Sequence, residues 1–137
     1  MAESDRTHFI SPVHAKGMPF CDAVLVNGTL YLSGAIGWDY DRKRLPEEFI
    51  DEARQTLKNI GVVLHHCGFD YGDVVKALAF LSDMSLFDEW NRTYREFFSE
   101  PYPARSTVAS SPIRPTIIIP IGSPSSFPHA RLRLVAC

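Results

Sequence analysis

The stretch "AVLVNGTLYLSGAIGWDYDRKRLPEEFIDEARQTLKNIGVVLHHCG", residues 23–68, decides the fold, because the spacing of its apolar residues changes partway along it. In residues 23–33 two apolar runs flank Asn27-Gly28. That dipeptide tolerates the positive φ angles of a two-residue turn, so the segment predicts a β-hairpin. "GAIGWDYDRKR" then breaks the pattern with two glycines and a charge cluster and reads as a loop. From residue 47 to residue 67 the period is helical: Phe49, Ile50, Ala53, Leu57, Ile60 and Leu64 recur at three- and four-residue steps as one apolar stripe. Pro46 stands where a first-turn proline would, and Gly68 where a helix-ending glycine would.

Downstream, "VVKALAFLS", residues 74–82, is mostly apolar with a single lysine and predicts a central strand. Residues 83–98 predict a second amphipathic helix, with Phe87, Trp90 or Asn91, Tyr94, Phe97 and Phe98 inward and Pro101 and Pro103 ending it. Two strand-like segments follow, residues 104–110 and 130–136, separated by a long proline-rich stretch that contains "TIIIPIG". Strand–helix alternation after a hairpin predicts an α+β fold: one mixed sheet with both helices on one face. The other face is then uncovered, and an open, partly apolar face predicts self-association.

At 137 residues the chain is long enough for one domain with a proper core, covering residues 1–137. Its net charge of −2 gives no general attraction to nucleic acid. The charge is unevenly spread, with all 16 acidic residues before residue 101 and four arginines but no acid after it. No apolar run approaches a membrane span, and "MAESDRTHFISP" lacks the basic-then-apolar pattern of a secretory signal. Three widely spaced cysteines with no C-x-x-C pair argue against a disulfide framework and place the chain in a reducing cytoplasm. His65-His66-Cys67 has metal-ligand residue types, but neighbours at a helix end point in different directions, so the histidines are read as complementing the helix dipole. Nothing in the sequence calls for a metal or a cofactor.

"YPARSTVASSP", residues 102–112, carries one arginine inside a β-like run. Alone, Arg105 reads either as an edge-strand charge facing water or as the ligand of an anion, since a guanidinium grips a carboxylate with two parallel hydrogen bonds.

Three segments in order and at matching spacing resemble the RidA/YjgF family of reactive intermediate deaminases. They are "PFCDAVLVNGTLYLSGAIG", "EARQTLKNIGVVLHHCGFDYGDVVKALAFLSDMSLFDEWNRTYREFF" and "YPARSTV", which together span nearly the whole chain. The resemblance implies a chorismate-mutase-like fold assembled as a homotrimer, with three clefts between subunits. It implies that Arg105 holds the carboxylate of a small enamine or imine acid, from which water releases ammonia and leaves a 2-keto acid. It places Ser33 and Gly34 in the cleft, glycine allowing close approach to the backbone. Phe20 keeps the ring of the family's tyrosine without its hydroxyl, and Thr107 stands where hydrolytic members often have cysteine. Those members carry a glutamate on the last strand to handle the water. Matching residues 129–137 to that strand, with an insertion of about eleven residues, puts Arg131 there, and matching without the insertion puts Pro120 there. Either way no carboxylate is supplied, and an arginine is protonated at any working pH and cannot be a base.

Three functions are therefore in view. The first is an enamine or imine deaminase, for which orientation and a poised water contribute much of the rate. The second is a relative using the same cleft for isomerisation, cyclisation or dehydration, with Arg131 selecting a dianionic or larger substrate. The third is a binding protein with the family fold and no turnover.

Overall fold

The Asn27-Gly28 turn forms as its residues require, with φ of 49° at Asn27 and 74° at Gly28. It joins β2 (Ala23–Val26) to β3 (Thr29–Leu32), antiparallel with Ala23 opposite Leu32. The computed structural model describes residues 5–110, 116–118 and 120–122. A strand that the sequence pattern does not reveal, β1 (Arg6–Phe9), lines the free edge of β2, its residues mostly exposed. With so little apolar alternation in "RTHF", pairing with β2 rather than its own side-chain pattern makes it a strand.

Helix α1 (Phe49–His66) follows the predicted stripe and buries Ala53, Leu57, Ile60 and Leu64. It starts after Glu48, so Pro46 lies ahead of the helix rather than in its first turn. Beyond it Gly68 takes a φ of +82°, the left-handed conformation that ends many helices. His65 and His66 occupy the last turn, His65 within 3.2 Å of the Asp70 carboxylate and His66 edge-on to Phe9.

Strand β4 (Lys76–Leu81) alternates strictly: Ala77, Ala79 and Leu81 are buried, while Lys76, Leu78 and Phe80 are half-buried. The second helix is shorter than its sequence pattern. Asp83 accepts a hydrogen bond from the Ser85 amide (2.8 Å) and opens a 3-10 turn at Met84–Leu86, after which α2 covers Phe87–Tyr94. Strand β5 (Ala104–Ala109) returns parallel to β4, the connection that a crossover helix provides.

The last described strands, β6 (Thr116–Ile118) and β7 (Pro120–Gly122), lie inside the proline-rich stretch read as a connection. Strand β6 runs antiparallel to β4, and β7 antiparallel to β3 with Pro120 opposite Tyr31. The hydrogen-bonded ladders therefore form two sheets, in the orders β1-β2-β3-β7 and β5-β4-β6, instead of the single mixed sheet expected. Proline explains the break: without an N–H, Pro120 cannot serve a strand paired on both edges. Residues 130–136, predicted to be a strand, lie outside the described residues.

The buried faces of both sheets meet the two helices in one core, where Leu30, Leu32, Ala77 and Ala79 pack with Leu57, Ile60, Trp90 and Tyr94. Each large apolar side chain there stabilises the fold by about 1.5–3 kcal/mol. Away from the helices, Val108 is exposed beside Phe80 in the ladder. Close packing fixes Gly61 of α1, where any side chain would collide with the Tyr71 hydroxyl, which itself donates to the Leu57 carbonyl (2.7 Å). Buried Asn59 donates to the Ile36 and Trp38 carbonyls, both at 2.9 Å, and so ties the loop after the hairpin to α1. Among the described residues no helix is long and apolar enough to cross a membrane.

Candidate active site

Parallel pairing sets Arg105 beside Ala77 and Thr107 beside Ala79. Because both alanines are buried against the helices, Arg105 and Thr107 face α2 and not solvent. There the guanidinium meets residues at i, i+3, i+4 and i+7 of one helix face. Its Cζ lies 4.6 Å from the Tyr94 ring centre, 5.7 Å from Phe87 and 5.8 Å from Trp90, while Nη2 donates to the Asn91 side-chain oxygen. Aromatic faces attract a cation, and more strongly out of water. Burial lowers the Arg105 pKa, the neighbouring Arg95 charge acting in the same direction, yet an arginine remains charged. Among the described residues no carboxylate lies within ion-pair distance of it. A hollow of about 260 Å³ opens here, lined by Asn91, Tyr94, Arg95, Tyr102, Pro103 and Arg105.

Three polar atoms on these elements, Thr107 Oγ1, Tyr94 Oη and Trp90 Nε1, are buried with no hydrogen-bond partner among the described residues. Leaving such an atom unpaired costs about 1–3 kcal/mol. Burial also pushes the Tyr94 hydroxyl up to about 12, partly offset by the Arg105 charge, so it stays a neutral donor. Of these residues Tyr94 lines the hollow beside Arg105 and Asn91, while Trp90 and Thr107 lie behind it in the core.

The residues predicted from the hairpin end meet elsewhere. Phe20, Ser33 and Gly34 line a second cavity of about 510 Å³ together with His14, Asp22 and Tyr40. Two bonds hold Ser33: its amide donates to the Asp22 carbonyl (2.9 Å) and its hydroxyl to the Cys21 carbonyl (2.6 Å). With its proton committed, the Ser33 hydroxyl can accept from a ligand but is no nucleophile. Phe20 stands 43 % exposed at this cavity, edge-on to the His14 ring.

The pair His14 and Asp22 has no signature in the sequence beyond two polar residues eight apart in a loop. The Asp22 carboxylate is buried and held by both oxygens, Oδ2 accepting from the Ser11 amide (2.6 Å) and Oδ1 lying 3.0 Å from His14 Nδ1. Burial opposes its charge, but the hydrogen bonds from His14 and Ser11 outweigh that and hold its pKa below the ordinary 3.8.

The predicted site residues accordingly fall into two hollows with no lining residue in common. Arg105 belongs to one, with Thr107 on the same face of its strand, and Phe20, Ser33 and Gly34 belong to the other. Pro120 is on β7, and Arg131 lies outside the described residues. Among the described residues no group of three His, Cys, Asp or Glu side chains is placed to hold a metal ion.

Comparison with known proteins agrees with this architecture. The family described as Endoribonuclease L-PSP matches residues 13–121. The human protein named 2-iminobutanoate/2-iminopropanoate deaminase is 39% identical over 100 residues, covering 71% of this chain and 73% of its own. The goat protein of the same name is 40% identical over 89 residues, 64% of this chain, and the match spans 65% of the goat protein's length, just under two thirds. The crystal structure of RidA from the Antarctic bacterium Psychrobacter superposes with a TM-score of 0.75 at 32% identity, covering 79% of this chain and 91% of that one. The chain belongs to the RidA/YjgF family.

Proposed function

We propose that this protein is a deaminase of small imine- and enamine-bearing carboxylic acids of the 2-aminoacrylate type, with Arg105 as the carboxylate anchor. The observation that carries the reading is the half-buried Arg105 guanidinium, set against Tyr94, Phe87 and Trp90 with no carboxylate partner among the described residues. A substrate carboxylate would supply the missing charge, in a place where little water competes for it. Asn91 and Tyr94 line the same hollow and would meet that ligand, with Thr107 next along the same face of the strand. The names of the human and goat relatives support the reaction class, conversion of an imine acid and water into a 2-keto acid and ammonia.

The complete site in this reading lies between two copies of the chain in a homotrimer. Its support is the division of the site residues over two separate hollows, each partial, with Phe20 and Val108 exposed. A neighbour's Phe20, Ser33 and Gly34 would close over Arg105.

A second reading has one specific observation in its favour. Strand β7 carries Pro120 where an insertion-free match to the hydrolytic members expects glutamate, which suits a relative that binds the same acids without hydrolysing them. Ammonia release from 2-aminoacrylate generated in situ separates the two. The deaminase reading expects release well above the uncatalysed rate, and carboxylate binding without release would favour the second.

A further inference from the structure

We infer that the His14–Asp22 pair is the proton-transfer dyad of this site, with His14 as the general base that activates the hydrolytic water and Asp22 as the residue that positions it. The inference rests on the deaminase reading and supplies what that reading lacks, because no acidic residue follows Glu100 in the sequence. Hydrolysis of an imine gains typically 10²–10⁴-fold from one well-placed acid or base.

The geometry is that of an oriented imidazole. Asp22 is more than nine-tenths buried and pinned by the Ser11 amide at 2.6 Å, so its second oxygen is fixed in place to receive His14 Nδ1 at 3.0 Å. The turn that carries His14 is fixed too, its amide donating to the Ser11 carbonyl (3.2 Å) while the Ser11 hydroxyl accepts from the Val13 amide (3.3 Å). A carboxylate accepting from Nδ1–H selects the tautomer whose lone pair is on Nε2 and stabilises the imidazolium once it forms. Nε2 has no hydrogen-bond partner among the described residues. Both side chains line the cavity that holds Ser33 and Gly34.

The steps balance with water as the only co-reactant. The imine reacts in its protonated form: His14 Nε2 takes a proton from water as the water oxygen bonds to the iminium carbon, and the C=N electron pair moves to nitrogen, leaving a neutral amine. The imidazolium then returns its proton to that amine. The C–N bond breaks with its electron pair on the departing ammonia, and the hydroxyl gives its proton to the again neutral His14 Nε2 as the C=O bond of the 2-keto acid forms.

The test measures ammonia release from in situ 2-aminoacrylate by the natural protein, His14→Ala, His14→Gln and Asp22→Asn, each checked for a native circular-dichroism spectrum. The dyad predicts that both His14 variants lose about 10²-fold or more in kcat with KM little changed. Added imidazole should restore part of the rate to His14→Ala alone. Asp22→Asn should be impaired, and His14→Ala combined with Asp22→Asn should be no slower than His14→Ala, since paired groups act as a unit. Two folded His14 variants as active as the natural protein, or a loss that imidazole does not relieve, would overturn the dyad and leave the deaminase reading standing. Absence of ammonia release by the natural protein would overturn the deaminase reading itself, and the base with it.

Discussion

Arg105 shows how far a single residue can be read from sequence. A guanidinium in a strand has two explanations, water or an anion, and the family resemblance names the anion. The structure adds the physical setting: an arginine facing a helix, over aromatic rings and bonded to the Asn91 side chain. His14 and Asp22 were not legible, because two loop residues eight apart fit no periodic pattern and meet only through the Ser11 turn. Their pairing has a consequence for stability. The folded-state pKa of Asp22 is depressed, so its contribution is complete above its ordinary value of 3.8 and is lost as pH falls through the lower folded value. Asp22→Asn should therefore lower stability at pH 7 by about 1.5–3 kcal/mol, the range for a hydrogen bond to a charged group, and flatten the acid limb. Urea midpoints for both proteins at pH 7 and pH 3 check this, and equal midpoints at pH 7 would count against a stabilising pair.

At the scale of elements, hairpin and first helix were legible because each has a clean period and a decisive turn residue. The second helix was legible only in outline, since "DMSLFDEW" supports both a helical stripe and the 3-10 turn that Asp83 sets up. Residues 116–122 escaped because prolines masked two short strands whose pairing depends on distant neighbours, β4 and β3. Where α1 meets the Tyr71 turn the packing leaves no slack. Gly61→Ala gains helix propensity yet must displace the Tyr71 ring, so it should destabilise by about 1–3 kcal/mol, the usual cost of overpacking. The denaturation midpoint measures it, and a stabilised variant would show that Tyr71 swings aside freely.

For the whole molecule, the α+β class was legible from element order, whereas the split into two ladders turns on one proline without an N–H. The two separate hollows make the assembly testable. Light scattering should give about three times the 15.4 kDa chain mass. If each cleft joins the Arg105 half of one copy to the His14 half of the next, mixed trimers of Arg105→Ala and His14→Ala chains should regain activity. Equal, random mixing leaves about a quarter of the clefts with both natural halves, so about a quarter of full activity is expected. No recovery after confirmed subunit mixing would contradict a cleft built from these two halves of neighbouring copies.

Titration calorimetry with a small 2-keto acid, the proposed product, reads out whether Arg105 holds a substrate carboxylate. Natural protein should bind pyruvate or 2-oxobutanoate, and Arg105→Ala should lose about 2–4 kcal/mol of that affinity, the scale of truncating one member of a desolvated charge pair. Arg105→Lys should recover only part of it, since an ammonium cannot make the two-pronged contact. A folded Arg105→Ala protein that binds these acids as tightly as the natural one would rule out Arg105 as the anchor.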